Sequence, residues 1–514
     1  MLFNSNLFIF AFLPVVLFAV VLFSKFSINK NATIAVVIFA SLLFYSHHNI
    51  PNLVVIIFSI VSNYGFYLIL GKYNKKFIIF LAVLLNLLIL SYFKYTNFII
   101  ESVNLSLSLK ISHVDITLPL AISFFTFQQI SFLVENFRYR TANVNFLKYM
   151  LYITFFPQLI AGPIVRFSEF FPQLDNFTKS NRIMENFSVG ISIFALGLFK
   201  KIVIADKAGI VADSVFSAVG TDDLTFIPAW LGLVAYSLQI YFDFSGYSDM
   251  AVGLARLFGV KLPINFNSPY QATSIIDFWR RWHISLSFFL RDYVYKPIGG
   301  SQFGNLSFAR NIFFTMLIAG LWHGAGWTFI LWGALHGSLL ICNHLARRFM
   351  PISSNANIMK IILTYLFVTV AWVPFRAPDL DSTIIYFKAL FGFQGLALPT
   401  FLYPYISEYL IWLGIESIKF KSVGFIHVMN MGYHIYGVIP LLVGLVIVFR
   451  FPNVYNIFRR YQPVFSSRRQ DLVPARLKFL IWRPNLLWSF IVFFAFVAAI
   501  TLQGKPNEFL YFQF

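Results

Sequence analysis

Apolar residues run along this chain in stretches long enough for the about 20 residues with which a helix crosses about 30 Å of hydrocarbon, and short polar or basic breaks separate them. The first stretch runs from about Leu7 to Phe23 and the last from about Leu486 to Thr501. The pattern predicts an all-α, polytopic membrane protein with about twelve transmembrane helices. Three stretches depart from it by mixing Gly, Pro or charge with aromatic residues: Phe156 to Leu174, Asn265 to Gly300, and Gly320 to Gly337. Irregular backbone at membrane depth is tolerated only when it is packed in protein or lines a wet cavity, so these stretches predict re-entrant or interfacial helices and a site among them. With no soluble domain, low-complexity linker or internal repeat in view, residues 1–514 read as a single integral membrane domain.

Composition agrees with a lipid solvent. Hydrophobic residues make up 59% of the chain and charged residues 11%, too few charges to cover a water-facing surface. The formal charge of +19 comes from Lys and Arg clustered between apolar runs, which points to membrane topology and anionic headgroups and away from a nucleic-acid partner. Lys25 and Lys30, then Lys72, Lys75 and Lys76, then Arg138, Arg140 and Lys148 alternate with loops nearly free of positive charge. Basic residues label the cytoplasmic side, so the N-terminus is expected outside. A basic connection at 450–483, carrying Arg459, Arg460, Arg468, Arg469, Arg476 and Lys478 against Asp471, is expected in the cytoplasm, with the C-terminus outside. The first run lacks a basic segment before it and a cleavage site after it, so it reads as a retained helix, and the NEFLYFQF end reads as native. The one cysteine, Cys342, lies in an apolar stretch and reads as a structural thiol. It excludes a disulfide framework and a Cys-rich metal site.

Three constellations carry candidate chemistry. Leu317 to Gly337, LIAGLWHGAGWTFILWGALHG, sets His323 and His336 among Trp322, Trp327 and Trp332. An imidazole in hydrocarbon must find a partner or a wet cavity. Gly320, Gly324 and Gly326 leave room beside it for a substrate or another backbone, and Gly320 with Gly324 also reads as a small-xxx-small helix contact. His336 reads as structural. Asp277 to Gly300, DFWRRWHISLSFFLRDYVYKPIGG, offers Arg280, Arg281, Arg291 and Lys296 around Trp282 and His283. It fits either a coenzyme phosphate site or an interfacial helix with basic and aromatic anchors. Tyr236 to Gly259 carries Gln239, Asp243 and Asp249 in an otherwise apolar span. Intramembrane carboxylates are functional candidates by default, pairing with a basic residue of the neighbouring segment is the structural explanation, and the two are compatible. The absence of a P-loop, G-x-G-x-x-G, H-E-x-x-H and G-x-S-x-G leaves hydrolases and nucleotide-driven pumps without support.

The chain resembles the membrane-bound O-acyltransferase family, and most closely its bacterial branch that includes the alginate O-acetyltransferase membrane subunit. The resemblance rests on LPLAISFFTFQQISFLVENFR, FFPQLIAGPIVRFSEFFPQL, YFDFSGYSDMAVGLARLFG, NFNSPYQATSIIDFWRRWHISLS, GLWHGAGWTFILWGALHG and AWVPFRA, in the family's order from Leu118 to Ala377. It divides the domain into N-terminal spans at 1–113, a catalytic core at 114–377 and C-terminal spans at 378–514. Glu135 stands where Asp is expected in the family, a conservative departure.

The resemblance implies a helical bundle around a central tunnel, with the acyl donor entering from the cytoplasm and the acceptor from outside. The family's histidine falls at His323 and a second histidine of the bacterial branch at His283, which are the candidate catalytic residues. Arg280, Arg281, Trp282 and Lys296 are the candidate donor-binding residues, and no metal is expected. The expected reaction is acetyl transfer from acetyl-CoA, a substrate rather than a permanently bound cofactor, to a hydroxyl, with His323 as general base. The expected partners are an exported or membrane-anchored acetyltransferase protein, an exported polysaccharide as final acceptor, and membrane lipids, and the expected place is the bacterial inner (plasma) membrane. D-alanyl transfer from a carrier protein is the alternative within the family, and a transporter or flippase the alternative outside it.

Overall fold

The computed structural model describes residues 1–26, 30–47, 49–140, 144–160, 162–174, 177, 182–349, 357–399, 403–412, 419–421, 434–465, 480–504 and 509–510. A π turn at Phe8–Phe12 leads into α1 (Leu13–Phe26), followed by α2 (Lys30–Ser46), α3 (Ile50–Tyr73), α4 (Lys76–Leu107), α5 (Ile122–Tyr139), α6 (Phe146–Thr154), α7 (Phe156–Leu159) and α8 (Phe167–Leu174). Next come α9 (Ile183–Phe199), a π segment at Lys200–Ala205, α10 (Asp206–Phe216), α11 (Phe226–Leu257), α12 (Ile275–Arg281), α13 (Ile284–Leu290), α14 (Gly304–His323) and α15 (Trp327–Phe349). The rest is α16 (Asn357–Ala371), α17 (Val373–Arg376), α18 (Leu380–Leu390), α19 (Tyr403–Trp412), α20 (His434–Arg450), α21 (Val454–Ile457) and α22 (Leu486–Leu502). A parallel pair of three-residue strands, Ala397–Pro399 and Lys419–Lys421, is the only sheet among the described residues.

Among the described residues, six helices are long and apolar enough to cross a membrane: Phe8–Lys25, Ile50–Tyr73, Lys76–Leu107, Ile183–Phe216, Trp327–Arg347 and Ile358–Arg376. Asn31–Ser46, Ile439–Arg450 and Leu486–Leu502 are shorter apolar helices. The chain is thus a helical, polytopic membrane protein. The expected residues Arg468, Arg469, Asp471, Arg476 and Lys478 lie outside the described residues. Cys342 is exposed on α15, within the Trp327–Arg347 candidate span.

In the centre α9 and α11 pack backbone against backbone. A Cβ at Gly190 would come within 2.7 Å of the Gly253 carbonyl oxygen, and one at Gly253 within 2.6 Å of the Gly190 carbonyl oxygen. Gly197 and Gly246 repeat that reciprocal contact at 2.7 Å each way. Two glycines seven residues apart on each helix lie two turns apart on one face, so the two backbones touch along a line. That approach brings Lys200 within 2.6 Å of Asp249, and Lys201 within 2.5 Å of Asp243 and 2.8 Å of Asp206. Pairing with basic residues is therefore observed for the intramembrane carboxylates, which is compatible with a functional role as well. Unpaired they would carry a large desolvation penalty; paired and hydrogen-bonded they are tolerated.

The three stretches that depart from plain spans are where the helices break. Phe156 to Leu174 contains two short helices, Asn265 to Gly300 holds a 3-10 turn, α12, α13 and a π turn, and α14 stops at His323 before α15 begins at Trp327. The break after His323 is covered by the following helix. A Cβ at Gly320 would collide with the Phe329 carbonyl oxygen, one at Gly324 with the Phe329 ring, and one at Gly333 with the Met316 carbonyl oxygen. Of the two readings of Gly320 and Gly324, close approach of protein is the one observed.

Candidate active site

His323 is the last residue of α14, 3% exposed, with Trp322 (4.9 Å between ring centroids), Trp332 (5.0 Å) and Phe375 (5.1 Å) around it, the last from the AWVPFRA segment. His283 comes from a different break, between α12 and α13, and its ring centroid lies 6.4 Å from that of His323. The two candidate catalytic histidines, 40 residues apart in sequence, are neighbours in space. Trp322 touches both, at 5.8 Å from His283.

His283 is fully buried and its backbone is left-handed, with φ 41° and ψ 55°. For a non-glycine residue that conformation costs on the order of 1–3 kcal/mol and is held only where the surroundings over-determine it. Asn265 supplies much of the hold. Its Oδ1 lies 3.2 Å from His283 Nδ1 and accepts from Ser285 Oγ at 2.8 Å, while its backbone oxygen accepts from Ile284 N at 2.9 Å. The carbonyl oxygen of Asn265 selects the tautomer with the proton on Nδ1, which leaves the lone pair of His283 on Nε2. Ser285 Oγ in turn accepts from Ile164 N at 3.0 Å, tying this break to the one in the GPIVRF segment.

The backbone under His323 is fixed by α4. Lys94 Nζ donates to the carbonyl oxygens of Trp322 at 2.6 Å and His323 at 3.1 Å, and the Tyr95 hydroxyl donates to that of Leu321 at 2.9 Å. The last carbonyls of a helix have no intrahelical partner and carry the negative end of its dipole, so a hydrogen-bond donor there is well placed. His336 is fully buried, accepts from the Trp279 indole N–H at 3.3 Å through Nδ1 and packs against Trp332 at 4.8 Å, while its Nε2 has no hydrogen-bond partner among the described residues.

From Trp322 a line of rings leads away from the histidines: Phe127 at 5.6 Å, then Phe289 stacked on Phe127 at 3.9 Å, then Tyr293 at 4.8 Å. It ends in a charge cluster. The Tyr293 hydroxyl donates to Glu135 at 2.9 Å, and Asp292 accepts from Arg166, Arg291 (2.8 Å) and Lys296 (2.7 Å). Burial pushes the Asp292 carboxyl up, but hydrogen bonds from Arg291, Lys296 and Arg166 more than offset it and hold the group well below the usual carboxylate range.

The four candidate donor-binding residues are thus dispersed. Lys296 belongs to the Asp292 cluster, whereas Arg281 bonds Asp277 at 3.0 Å and the Asn267 carbonyl at 3.3 Å. Arg280 is exposed, and Trp282 is fully buried between Phe266 and Trp372. Sequence reasoning did not single out Asn265, Lys94, Arg166 or Asp292. The signal for Arg166 and Asp292 was their opposite charge within two of the irregular stretches; a lysine whose partners are main-chain carbonyls leaves none.

Residues 34–376 match the model of the MBOAT, membrane-bound O-acyltransferase family. The chain is 41% identical over 434 residues to a peptidoglycan O-acetyltransferase of Helicobacter pylori, covering 77% of this chain and 81% of that one. It is 39% identical over 407 residues to a probable alginate O-acetylase AlgI of Pseudomonas syringae pv. tomato, covering 76% of each. It is also 29% identical over 278 residues to a teichoic acid D-alanyltransferase of Bacillus subtilis, covering 48% of this chain and 66% of that one. With its polytopic helical fold and a family match that runs from α2 to the end of α17, this chain belongs to the membrane-bound O-acyltransferase family of enzymes.

Proposed function

We propose that this enzyme moves an acetyl group from cytoplasmic acetyl-CoA to a hydroxyl acceptor, for O-acetylation of an exported polysaccharide or of peptidoglycan. The observation that carries the reading is the meeting of His323 and His283 at two helix breaks inside an aromatic collar. The acetyl choice rests on the relatives: O-acetyltransferases match about three quarters of the chain at about 40% identity, and a D-alanyltransferase less than half at 29%. The reading puts the enzyme in the bacterial inner membrane with both termini outside, on the distribution of basic loops.

In the proposed step His323 takes the proton of the acceptor hydroxyl as its oxygen attacks the thioester carbon. The new C–O bond forms, the C–S bond breaks, and the proton passes from His323 to the departing thiolate. Positioned general-base catalysis contributes roughly 10² to 10⁴ in rate. His283, with its proton held on Nδ1 by Asn265, offers Nε2 as an acceptor and so positions the donor through a donor N–H. Lys296 and Arg280 are the exposed cations available to the coenzyme phosphates. Because the coenzyme stays in the cytoplasm, the acetyl group crosses without it and a partner protein at the outer face completes transfer to the polymer.

The test is purified enzyme in nanodiscs given isotopically labelled acetyl-CoA, with cell-envelope polymer and membrane extract as acceptor. Release of free coenzyme together with label in the polymer supports the reading. Consumption of an aminoacyl carrier protein with none of acetyl-CoA overturns it in favour of D-alanyl transfer.

A further inference from the structure

A cavity of about 1050 Å³ lies away from the histidines, between α1, α9 and α22. It is as large as the upper end of the about 300–1,000 Å³ usual for small-molecule sites. Its walls are apolar along their length and include Leu13, Ile191, Phe194, Val492 and Phe496. It opens on the outer surface of the bundle, where Phe10 is 59% and Phe493 58% exposed.

One end differs from the rest. Trp482, Arg483, Asn485 and Ser188 close it. Trp482 stacks on Phe458 at 5.1 Å and meets Tyr461 edge-on at 5.0 Å, which draws Arg459 and Arg460, the two residues between those rings in sequence, to the same end. Among the described residues no carboxylate pairs with Arg459, Arg460 or Arg483, and the nearby Glu185 is engaged by Arg256 at 3.2 Å and Arg182 at 3.8 Å. Among the described residues the rim is therefore a cluster of cations with no paired carboxylate beside an aromatic platform, the arrangement that marks a membrane–water boundary.

The length decides between a fragment and a lipid. From Leu486 to Phe496 the α22 wall rises ten residues, about 15 Å at 1.5 Å per residue. That is half of the about 30 Å hydrocarbon core, the depth of one leaflet. We infer that this groove is a binding site for an anionic glycerophospholipid, with acyl chain between α1, α9 and α22 and phosphate at Arg483. The opposite face of α9 carries Gly190 and Gly197 against α11, so the lipid braces from outside the helix that the glycine contacts hold from inside. A zwitterionic lipid fills the same apolar groove without answering the charge of the rim.

The experiment is native mass spectrometry and thermal unfolding of the full-length protein, extracted from vesicles of equal phosphatidylglycerol and phosphatidylcholine. Wild type is expected to retain phosphatidylglycerol preferentially, and added phosphatidylglycerol to raise its Tm, since a ligand that binds only the folded state stabilises it. Arg483→Glu is expected to lower phosphatidylglycerol retention about tenfold, given the energy of each cationic side chain toward an anionic surface. Ile191→Trp, which fills the groove from an exposed position, is expected to lower retention of both lipids while the protein stays folded. Equal retention of the two lipids by wild type, or retention unchanged in both variants, overturns the proposal. The measurement does not involve acyl transfer, so it stands or falls apart from the reaction proposed above.

Discussion

Lys94 on α4 donates a hydrogen bond to the carbonyl oxygen of His323 at 3.1 Å, across 229 residues of sequence. The same amine holds the carbonyl of Trp322, so the end of the helix bearing the proposed base is fastened by a side chain from another helix. Hydrogen bonds of this kind are worth about 0.5–1.5 kcal/mol net, and more where their loss leaves a buried carbonyl unsatisfied. Lys94→Met is expected to lower kcat by roughly tenfold or more with a smaller change in KM, and Lys94→Arg to restore part of it. Equal loss in both variants, with lowered thermal stability, would mean that Lys94 only holds the fold.

Asn265 is expected to matter through His283. Replacing it by Leu removes the acceptor shared by His283 Nδ1 and Ser285 Oγ and leaves buried polar groups unsatisfied, at a cost of about 1–3 kcal/mol. The measurement is KM for the acyl donor. It is expected to rise in Asn265→Leu more than kcat falls, because His283 is assigned to positioning the donor.

These residues also mark what the sequence could and could not reveal. His323 was legible because an imidazole in an apolar run is costly, and the same cost singled out Asp243 and Asp249, whereas His283 sat in a basic, aromatic segment and its candidacy came from the family resemblance. Lys94 was not, since its partners are main-chain carbonyls that any sequence would supply at that point. Gly320 and Gly324 were visible as small residues, but only the fold shows that Phe329, from the returning helix, fills the space beside them. The count of crossings suffers from the same polar interruptions: α11 is 32 residues long yet carries Asp243 and Asp249 near its middle. The donor-binding candidates were chosen for positive charge in one aromatic segment near the membrane, and the helix breaks send Lys296 to the Asp292 cluster and Trp282 into the aromatic core.

The Asp292 cluster carries a pH expectation. Its carboxyl is held below the ordinary range, so its contribution to stability is present above the unfolded-state value of about 3.9 and is lost as pH falls below that, through the lower folded-state pKa. Asp292→Asn is expected to lower stability by on the order of 1–3 kcal/mol at pH 7, discounted for the exposure of Arg291 and Lys296. Thermal unfolding between pH 5 and pH 8 checks this: the difference between wild type and variant should be constant across that range.

The glycine contacts between α9 and α11 predict a larger effect. Gly246→Leu places a side chain where the Gly197 carbonyl oxygen and the Lys201 amide already stand, and separating the helices also parts Lys200 from Asp249. Overpacking costs about 1–3 kcal/mol and a parted buried pair about 3–5 kcal/mol. The variant is expected to be recovered poorly from membranes, whereas Gly65→Leu, where nothing lies within 4 Å, is expected to be recovered normally.

The central claim is that His323 moves the proton during acyl transfer. The direct test is coenzyme release from acetyl-CoA by wild type and by His323→Gln, both reconstituted in nanodiscs with membrane extract as acceptor and matched for thermal stability. Loss of roughly 10² to 10⁴ in rate in the folded variant is the predicted result. Release by His323→Gln at the wild-type rate would contradict it and remove His323 from the chemistry.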